Sequence, residues 1–374
     1  MDLSKLYFLI EAPSMFTWQE LVMIVIGAIL IYLAIVKEYE PVLLLPIGFG
    51  AIITNLPLTE IFGEHGFITI IYKAGIDTEL LPLLLFIGVG AMCDFGPLYE
   101  NPKMVFLGAS GHIGIFVTLM VALFLGYEIK DAGAIAAIGT MDGPTSIVVA
   151  KTLSPRFLAP IAVAAYSYMS LVPIIQPPVM KLLTTKAERA THMPYSERKV
   201  SKTVRIIFPI AASVVVSLIA PAASALISTI MFGNLLRESG VVDRLASAAE
   251  NEIANITTLL LGLCIGVSMQ AESFVRVETF GVIGLGLLAF VFDMAGGVLF
   301  AKLLYVLSGK KFNPLIGSAG ISAFPMAARV VQRVGQEADP SNFLLMHAMG
   351  ANVAGQLGSV VAGGLLLAFL VGGV

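Results

Sequence analysis

Apolar runs of roughly 18–25 residues recur along the chain, among them Leu21–Val36, Met104–Leu125, Phe280–Leu304 and Phe343–Leu370. That is the length a hydrocarbon core of about 30 Å demands of a helix. A soluble domain of this size would need charged helix faces, and these runs have none. Only 13% of residues are charged against 57% hydrophobic, roughly half the charge of a soluble domain. The chain therefore reads as an all-α polytopic integral membrane protein with the lipid bilayer as its surroundings. Its net charge of −3 implies no nucleic-acid partner. Met1–Glu20 holds one short apolar run, Leu6–Ile10, with acids on both sides and no secretory cleavage signature. Cys93 and Cys264 fall inside apolar segments, far from CxxC or zinc spacing, so no disulfide framework is expected.

The longest polar stretch, Lys181 to Arg205, divides the chain near its midpoint. It carries Lys181, Lys186, Arg189, Arg198, Lys199, Lys202 and Arg205 against Glu188 and Glu197. Such a basic excess in a short loop places the loop in the cytoplasm. A nucleic-acid patch would interleave aromatics along the run, a pattern this stretch lacks. The flanking halves resemble each other. Ile87-Gly88-Val89-Gly90-Ala91-Met92-Cys93-Asp94 recurs as Ile265-Gly266-Val267-Ser268-Met269-Gln270-Ala271-Glu272, and Gly139-x4-Pro144 recurs as Gly320-x4-Pro325. The other segments follow in step: Leu21–Val36 with Val204–Ala220, Pro41–Leu56 with Ala222–Leu236, Met104–Leu125 with Phe280–Leu304, and Leu158–Pro178 with Phe343–Leu370. Six spans in each half would make the repeat parallel. If the Gly/Pro-broken fifth segment of each half is a re-entrant hairpin, five remain and the second half is inverted. Paired broken segments mark a midplane transport site, and inversion is the reading adopted. The first repeat then covers 1–180 with broken segment 132–150. A basic cytoplasmic linker covers 181–205, and the second repeat covers 206–374 with broken segment 313–333.

Asp142 lies in the first broken segment, Ile138-Gly139-Thr140-Met141-Asp142-Gly143-Pro144-Thr145-Ser146, inside an otherwise membrane-grade apolar stretch. A carboxylate at that depth costs about 2.5–3.5 kcal/mol even on the lenient insertion scale, which marks it as functional rather than decorative. Gly and Pro cannot sustain a regular helix there, and broken backbone at that depth survives only against protein or a wet cavity. An acid beside free carbonyls is how a transporter holds Na⁺ or H⁺; the bland alternative is a helix cap. The second broken segment, Asn313 to Arg329, adds Asn313 and Ser322 as uncharged hard oxygens. One carboxylate with neutral oxygens suits a monovalent cation better than Ca²⁺ or Zn²⁺. Asn313 before Pro314 is also a strong helix-cap pattern, and one residue can serve both ends. Asn352 is a further amide in an apolar span, as a ligand or as interhelical glue. Tyr166 and Tyr168 could face the same cavity or anchor at an interface. Arg329 is the one cation of its segment and could bind an anion, pair with Asp142 or snorkel. Asp94 and Glu272 suit caps, Asp293 is buried by context without polar neighbours, and His112 suits helix packing or a proton relay. No nucleotide-binding or hydrolase motif is present.

The motifs Gly139-Thr140-Met141-Asp142-Gly143-Pro144-Thr145, Ala165-Tyr166-Ser167-Tyr168 with Ile174-Ile175-Gln176-Pro177-Pro178, Phe232-Gly233-Asn234-Leu235-Leu236-Arg237-Glu238-Ser239-Gly240 and Asn313-Pro314-Leu315-Ile316-Gly317 through Arg329 resemble the β subunit of the Na⁺-translocating biotin-dependent decarboxylases. The resemblance runs over nearly the whole chain. It implies a membrane subunit that decarboxylates carboxybiotin carried by a partner and exports Na⁺ while consuming an external proton. It implies a carboxyltransferase/biotin-carrier partner, a small γ subunit, a β homotrimer, and a bacterial or archaeal cytoplasmic (inner) membrane. It implies an elevator-type transporter built of inverted repeats. The family's key aspartate falls on Asp142, its tyrosine on Tyr168, its second-motif residues on Asn313, Gly317, Ser322 and Arg329, and its later asparagine on Asn352. Asp142, Asn313, Gly317, Ser322 and Asn352 are then the expected Na⁺ site, with Asp142, Tyr168 and Arg329 in the chemistry. Without the resemblance, a stand-alone Na⁺/H⁺ or Na⁺/organic-anion secondary transporter fits the same features.

Overall fold

The computed structural model describes residues 15–39, 41–57, 66–194 and 200–371. The run Leu6–Ile10 and, in the basic stretch, Glu197, Arg198 and Lys199 lie outside the described residues. The main helices are α1 (Trp18–Val36), α2 (Pro41–Thr54), α3 (Phe67–Gly75), α4 (Leu80–Met92), α5 (Pro102–Phe124), α6 (Ile129–Ala136), α7 (Gly143–Leu153), α8 (Leu158–Leu183), α9 (Lys202–Ile219), α10 (Ser224–Ser239), α11 (Asp243–Ser268), α12 (Val277–Leu307), α13 (Met326–Ala338) and α14 (Leu345–Val371). Among the described residues every regular element is helical. Among these residues, seven helices are long and apolar enough to cross a membrane, or eight if α3 and α4 together form one broken span. This is a multi-pass membrane protein.

Two compact units share the chain, and each draws on both halves of the sequence. One unit takes residues up to Pro82 together with Asn255–Gly281. Here α1 and α2 cross backbone to backbone, since a Cβ on Gly27 would come within 2.7 Å of the Gly48 carbonyl. Asn55 ends α2 by donating to Ala51 O (2.7 Å) and Met269 O (2.9 Å) and accepting from Ala271 N (2.8 Å). That spends the whole amide on the turn, as a buried polar group requires.

The other unit comprises Leu83–Ala254 and Val282–Val374. Its α4 and α10 meet so closely that a Cβ on Gly90 would run into the Ile230 carbonyl, and one on Gly233 into the Ile87 carbonyl. The Phe232–Gly240 motif then caps the end of α4. Asn234 Nδ2 donates to Cys93 O (3.0 Å) and Arg237 Nη1 to Met92 O (2.9 Å), supplying the carbonyls that a helix end leaves without partners.

The first broken segment enters and returns on one side. At 1.5 Å per residue, the 8 residues of α6 and 11 of α7 reach about 12 and 16 Å, too short to cross a core of about 30 Å. Their outer ends are stapled together: Ser154 Oγ donates to Asp131 Oδ1 (2.5 Å), and Arg156 pairs with Asp131 Oδ2. This mouth adjoins the start of α8. The second broken segment, the 3₁₀ turn Pro314–Ala319 with α13, has its mouth beyond the other end of α8. Asn313 and Asn342 flank it, and both donate through Nδ2 to the carbonyls of Arg189 and Thr191 in the basic linker, at 2.8–3.2 Å. The 26 residues of α8 separate the two mouths by about 39 Å of helix.

Within α8, Pro177 has no N–H to offer the carbonyl of Pro173, four residues earlier. Arg333 Nη2 of α13 takes that carbonyl at 3.1 Å. Gln176 Nε2, beside it, donates to Ser318 Oγ (2.9 Å) and Ala327 O (3.2 Å), so it grips both arms of the second hairpin. The Ile174–Pro178 motif thus holds that hairpin against α8.

The helix crossing sets a matched test. Gly90→Ala should lower stability by about 1–3 kcal/mol, the usual cost of overpacking. Gly284→Ala on the exposed, open face of α12 should be neutral or stabilise by up to ~1 kcal/mol. Melting temperatures of the two variants in detergent check this; equal melts would contradict the crossing.

Candidate functional site

The hairpin tip is built by a change of helix type. The 3₁₀ turn Ala137–Thr140 ends at Met141, whose φ of 51° is left-handed, and Asp142 follows in extended conformation (φ −136°, ψ 107°) at the N-cap position of α7. A left-handed methionine is unusual, and such strain concentrates at functional sites. Asp142 is 4% exposed. Thr145, three residues on, donates its hydroxyl to Asp142 Oδ2, and the side chains of Gln356 and Ser359 on α14 face the same carboxyl. Two further hydroxyls gather on the carbonyls at the break, of which that of Asp142 also accepts from Ser146 N. Ser146 Oγ donates to Ala137 O and Asp142 O, both at 2.9 Å, and Thr140 Oγ1 donates to Ala137 O at 2.8 Å.

The second hairpin meets this tip directly. Ser322 Oγ donates to Thr140 O at 2.5 Å, and Asn352 Nδ2 of α14 donates to Ile321 O at 2.6 Å. Asn352 Oδ1 is buried and has no partner. Asp142, Ser322 and Asn352 therefore belong to one chain of contacts through the two tips. What they offer is one carboxylate, an idle amide oxygen and hydroxyls, a hard-oxygen set suited to a small monovalent cation.

Two residues at the carboxyl were not singled out in the sequence. Asn352, Gln356 and Ser359 stand at i, i+4 and i+7, so they share one helix face. That spacing was available to read but was hidden among Gly and Ala that suggested packing alone. The tyrosines divide differently from the expectation of a shared cavity, because residues two apart on a helix point to different sides. Tyr166 is 1% exposed and lies over Gly143, where a Cβ would come 2.7 Å from its hydroxyl; that hydroxyl has no partner. Tyr168 turns to α12, donating its hydroxyl to Ile283 O at 2.7 Å, with its ring centroid 5.4 Å from that of Phe290.

Asn313 is a cap and a clamp. Its Oδ1 accepts from Leu315 N (3.0 Å) while both Nδ2 protons go to the linker carbonyls of Arg189 and Thr191. Gly317 lies against Gly297 of α12, where a Cβ would run into the Gly297 carbonyl. Arg329 is exposed on α13 and its side chain makes no ion pair or hydrogen bond with any described residue; it does not meet Asp142. Asp94 caps its own turn by accepting from Gly96 N at 2.8 Å. Beyond the second mouth, His192 Nε2 lies 2.8 Å from Asp339 Oδ2. The Ser341 hydroxyl, with His192 beside it, holds the Asp339 carboxyl down at about 2.

The family model of the Na⁺-transporting oxaloacetate decarboxylase beta subunit matches residues 19–370. The chain belongs to that family. Its relatives include the glutaconyl-CoA decarboxylase subunit beta of Acidaminococcus fermentans, 54% identical over 358 residues, which cover 96% of this chain and 95% of the relative. The methylmalonyl-CoA decarboxylase subunit beta of Veillonella parvula is 52% identical over 355 residues, 95% of this chain and 94% of its own. The oxaloacetate decarboxylase beta chain of Klebsiella pneumoniae is 43% identical over 410 aligned positions, 93% of this chain and 94% of its own. Membership thus extends over both hairpins and the linker that joins the two halves.

The clamp at the second mouth makes a prediction for this β-subunit family member. Asn313→Asp keeps the cap oxygen but loses both donors and turns a carboxylate toward two carbonyls. The carboxylate repels the two linker carbonyls and leaves Asn342 to hold them alone, so the linker should loosen and trypsin should cut after Lys186 or Arg189 faster. An unchanged cleavage rate would rule out the clamp.

Proposed function

We propose that this β subunit decarboxylates carboxybiotin carried by a partner subunit and couples that step to Na⁺ export across the cytoplasmic (inner) membrane of a bacterium or archaeon, with consumption of an external proton. The observation that carries the proposal is the meeting of the two tips, with Asp142, Ser322 and Asn352 in one chain of contacts and an idle amide oxygen among them. Na⁺ between the Asp142 carboxylate, Asn352 Oδ1, Ser322 and freed carbonyls offsets the cost of an acid at membrane depth. Asn313 and Gly317 act on the same site by fixing the arm that carries Ser322.

The partners that fit are a carboxyltransferase/biotin-carrier subunit, a small membrane γ subunit and further copies of the β subunit in a trimer. When bound, carboxybiotin supplies a carboxyl group whose release as CO₂ takes up one proton. Arg329 suits it as an anchor, being an exposed guanidinium on the α13 arm of the second hairpin, where an anion meets no competing partner among the described residues. Tyr168 and Arg329 are the groups of this chain proposed to orient the carboxyl group and pass the proton. Asp142 exchanges its Na⁺ for a proton, so the acid is neutralised in either loading state.

Inverted repeats and elevator-type movement are supported by the two mouths, one at each end of α8, whose hairpins meet at their tips. The basic linker beside the second mouth supports a cytoplasmic position for that mouth. The repeats proposed are 1–180 and 206–374, joined by the linker 181–205.

The purified complex in proteoliposomes should take up ²²Na⁺ during decarboxylation, and avidin should abolish the uptake. Uptake that persists with avidin would instead indicate the stand-alone secondary transporter. Asp142→Asn should abolish Na⁺-dependent decarboxylation in the assembled complex, and retained pumping would remove Asp142 from the ion path. Because Na⁺ and H⁺ compete for one acid, the Na⁺ concentration giving half-maximal rate should rise as pH falls. A half-maximal concentration independent of pH would contradict the exchange.

A further inference from the structure

We propose that Asp293 is a second cation-binding carboxylate of this subunit, holding a monovalent cation, Na⁺ or a proton, between α12 and the first hairpin tip. Asp293 is fully buried in the middle of α12. Its two oxygens have different surroundings. Oδ1 accepts the Gly114 N–H at 2.5 Å, and the Ile115 N–H also faces the carboxyl. These amides begin the 12-residue helical stretch Ile113–Phe124 of α5, after its interruption at Gly111–His112. One oxygen therefore does all the work of a helix cap. Oδ2 has no partner, and it lies 3.2 Å from where a Cβ on Gly139 would stand.

An idle, fully buried carboxylate oxygen is not a stable end state. The helix start supplies only about half a positive charge, and it supplies it to the other oxygen. Asp293 makes no ion pair with any described residue, so the missing positive charge has to come from a small ion. Gly139 stands three residues before Asp142. The two acids thus address one tip from different sides, Asp142 from the side of Thr145 and α14, Asp293 from α12 and α5. The titratable groups around it are His112, Asp142 and Tyr168. His112 on α5 has Nδ1 2.6 Å from Gly108 O, while its unpartnered Nε2 is buried toward the Thr140 backbone. Tyr168 packs on Phe290, one turn before Asp293. None of these is a fixed cation. The site would let the tip carry a second charge whose loading is separate from that of Asp142.

The inference rests on the chain acting as a Na⁺-binding subunit, and Asp293→Asn tests it cleanly because asparagine keeps an oxygen for the Gly114 cap while removing the acid. Equilibrium ²²Na⁺ binding, and proton uptake when Na⁺ is withdrawn, should be measured on purified wild-type, D293N and D142N complexes. D293N should lose one cation equivalent, either one Na⁺ bound or one proton taken up, and which count falls identifies the ion. D142N should keep that equivalent. Unchanged counts in D293N overturn the proposal and leave Asp293 a helix cap. A wild-type complex that binds no Na⁺ would contradict the proposed function, while the D293N proton count would still decide Asp293. Should D293N fail to assemble, carbodiimide labelling of wild-type Asp293 serves instead. Labelling that responds to Na⁺ or pH supports the site, and labelling indifferent to both overturns it.

Discussion

A carboxylate buried among hydrocarbon needs a ring of donors and a positive companion; the larger compact unit gives Asp142 the donors, and the proposed function assigns it the companion. The donors come from its own helix through Thr145 and from α14 through Gln356 and Ser359. The place for a companion comes from the break in the chain. A continuous helix would consume the carbonyl of Ala137 internally. The 3₁₀ turn and left-handed Met141 instead bring it against the hydroxyls of Thr140 and Ser146, and the Asp142 carbonyl, which starts α7 by accepting from Ser146 N, takes the Ser146 hydroxyl as well. Breaking the helix is costly in lipid, and it is tolerated here because other parts of the protein take up the freed groups.

The second hairpin depends on the same economy of hydrogen bonds. Pro177 frees the Pro173 carbonyl for Arg333, and Gln176 grips Ser318 and Ala327. Asn313 and Asn342 fasten both ends to the basic linker. Ser322 is then delivered to Thr140 as a direct hydroxyl contact between the tips. Movement that separated the tips would break this contact and expose the idle Asn352 oxygen, whereas the mouths would stay fastened. The fold thus joins a rigid frame at each mouth to a polar junction held by few bonds.

Much of this was legible in the residues. Length and hydropathy marked α1, α5, α8, α12 and α14 because a bilayer imposes one length on any helix that crosses it. Asp142 and the paired Gly–Pro breaks stood out because their cost in lipid demands a reason. Other features were not legible because they depend on which side of a helix faces what. Tyr166 and Tyr168 look interchangeable as neighbours in sequence, yet only Tyr166 lies over Gly143. The Asn313 amide looks like a ligand or a cap with equal force until its partners, the linker carbonyls some 120 residues earlier, are in place. Gln356 and Ser359 carried a readable periodicity with Asn352, but Asp293 did not, since its partners Gly114 and Ile115 present only backbone amides to it.

The central claim is that the junction of the two tips holds Na⁺ on Asp142. Electron cryomicroscopy of the purified complex in sodium chloride and in choline chloride tests this most directly. The account predicts an ion-sized density between the Asp142 carboxylate and Asn352 Oδ1 in sodium that disappears in choline. Junction density that is the same in both salts, or sodium-dependent density elsewhere with none at Asp142, would contradict it.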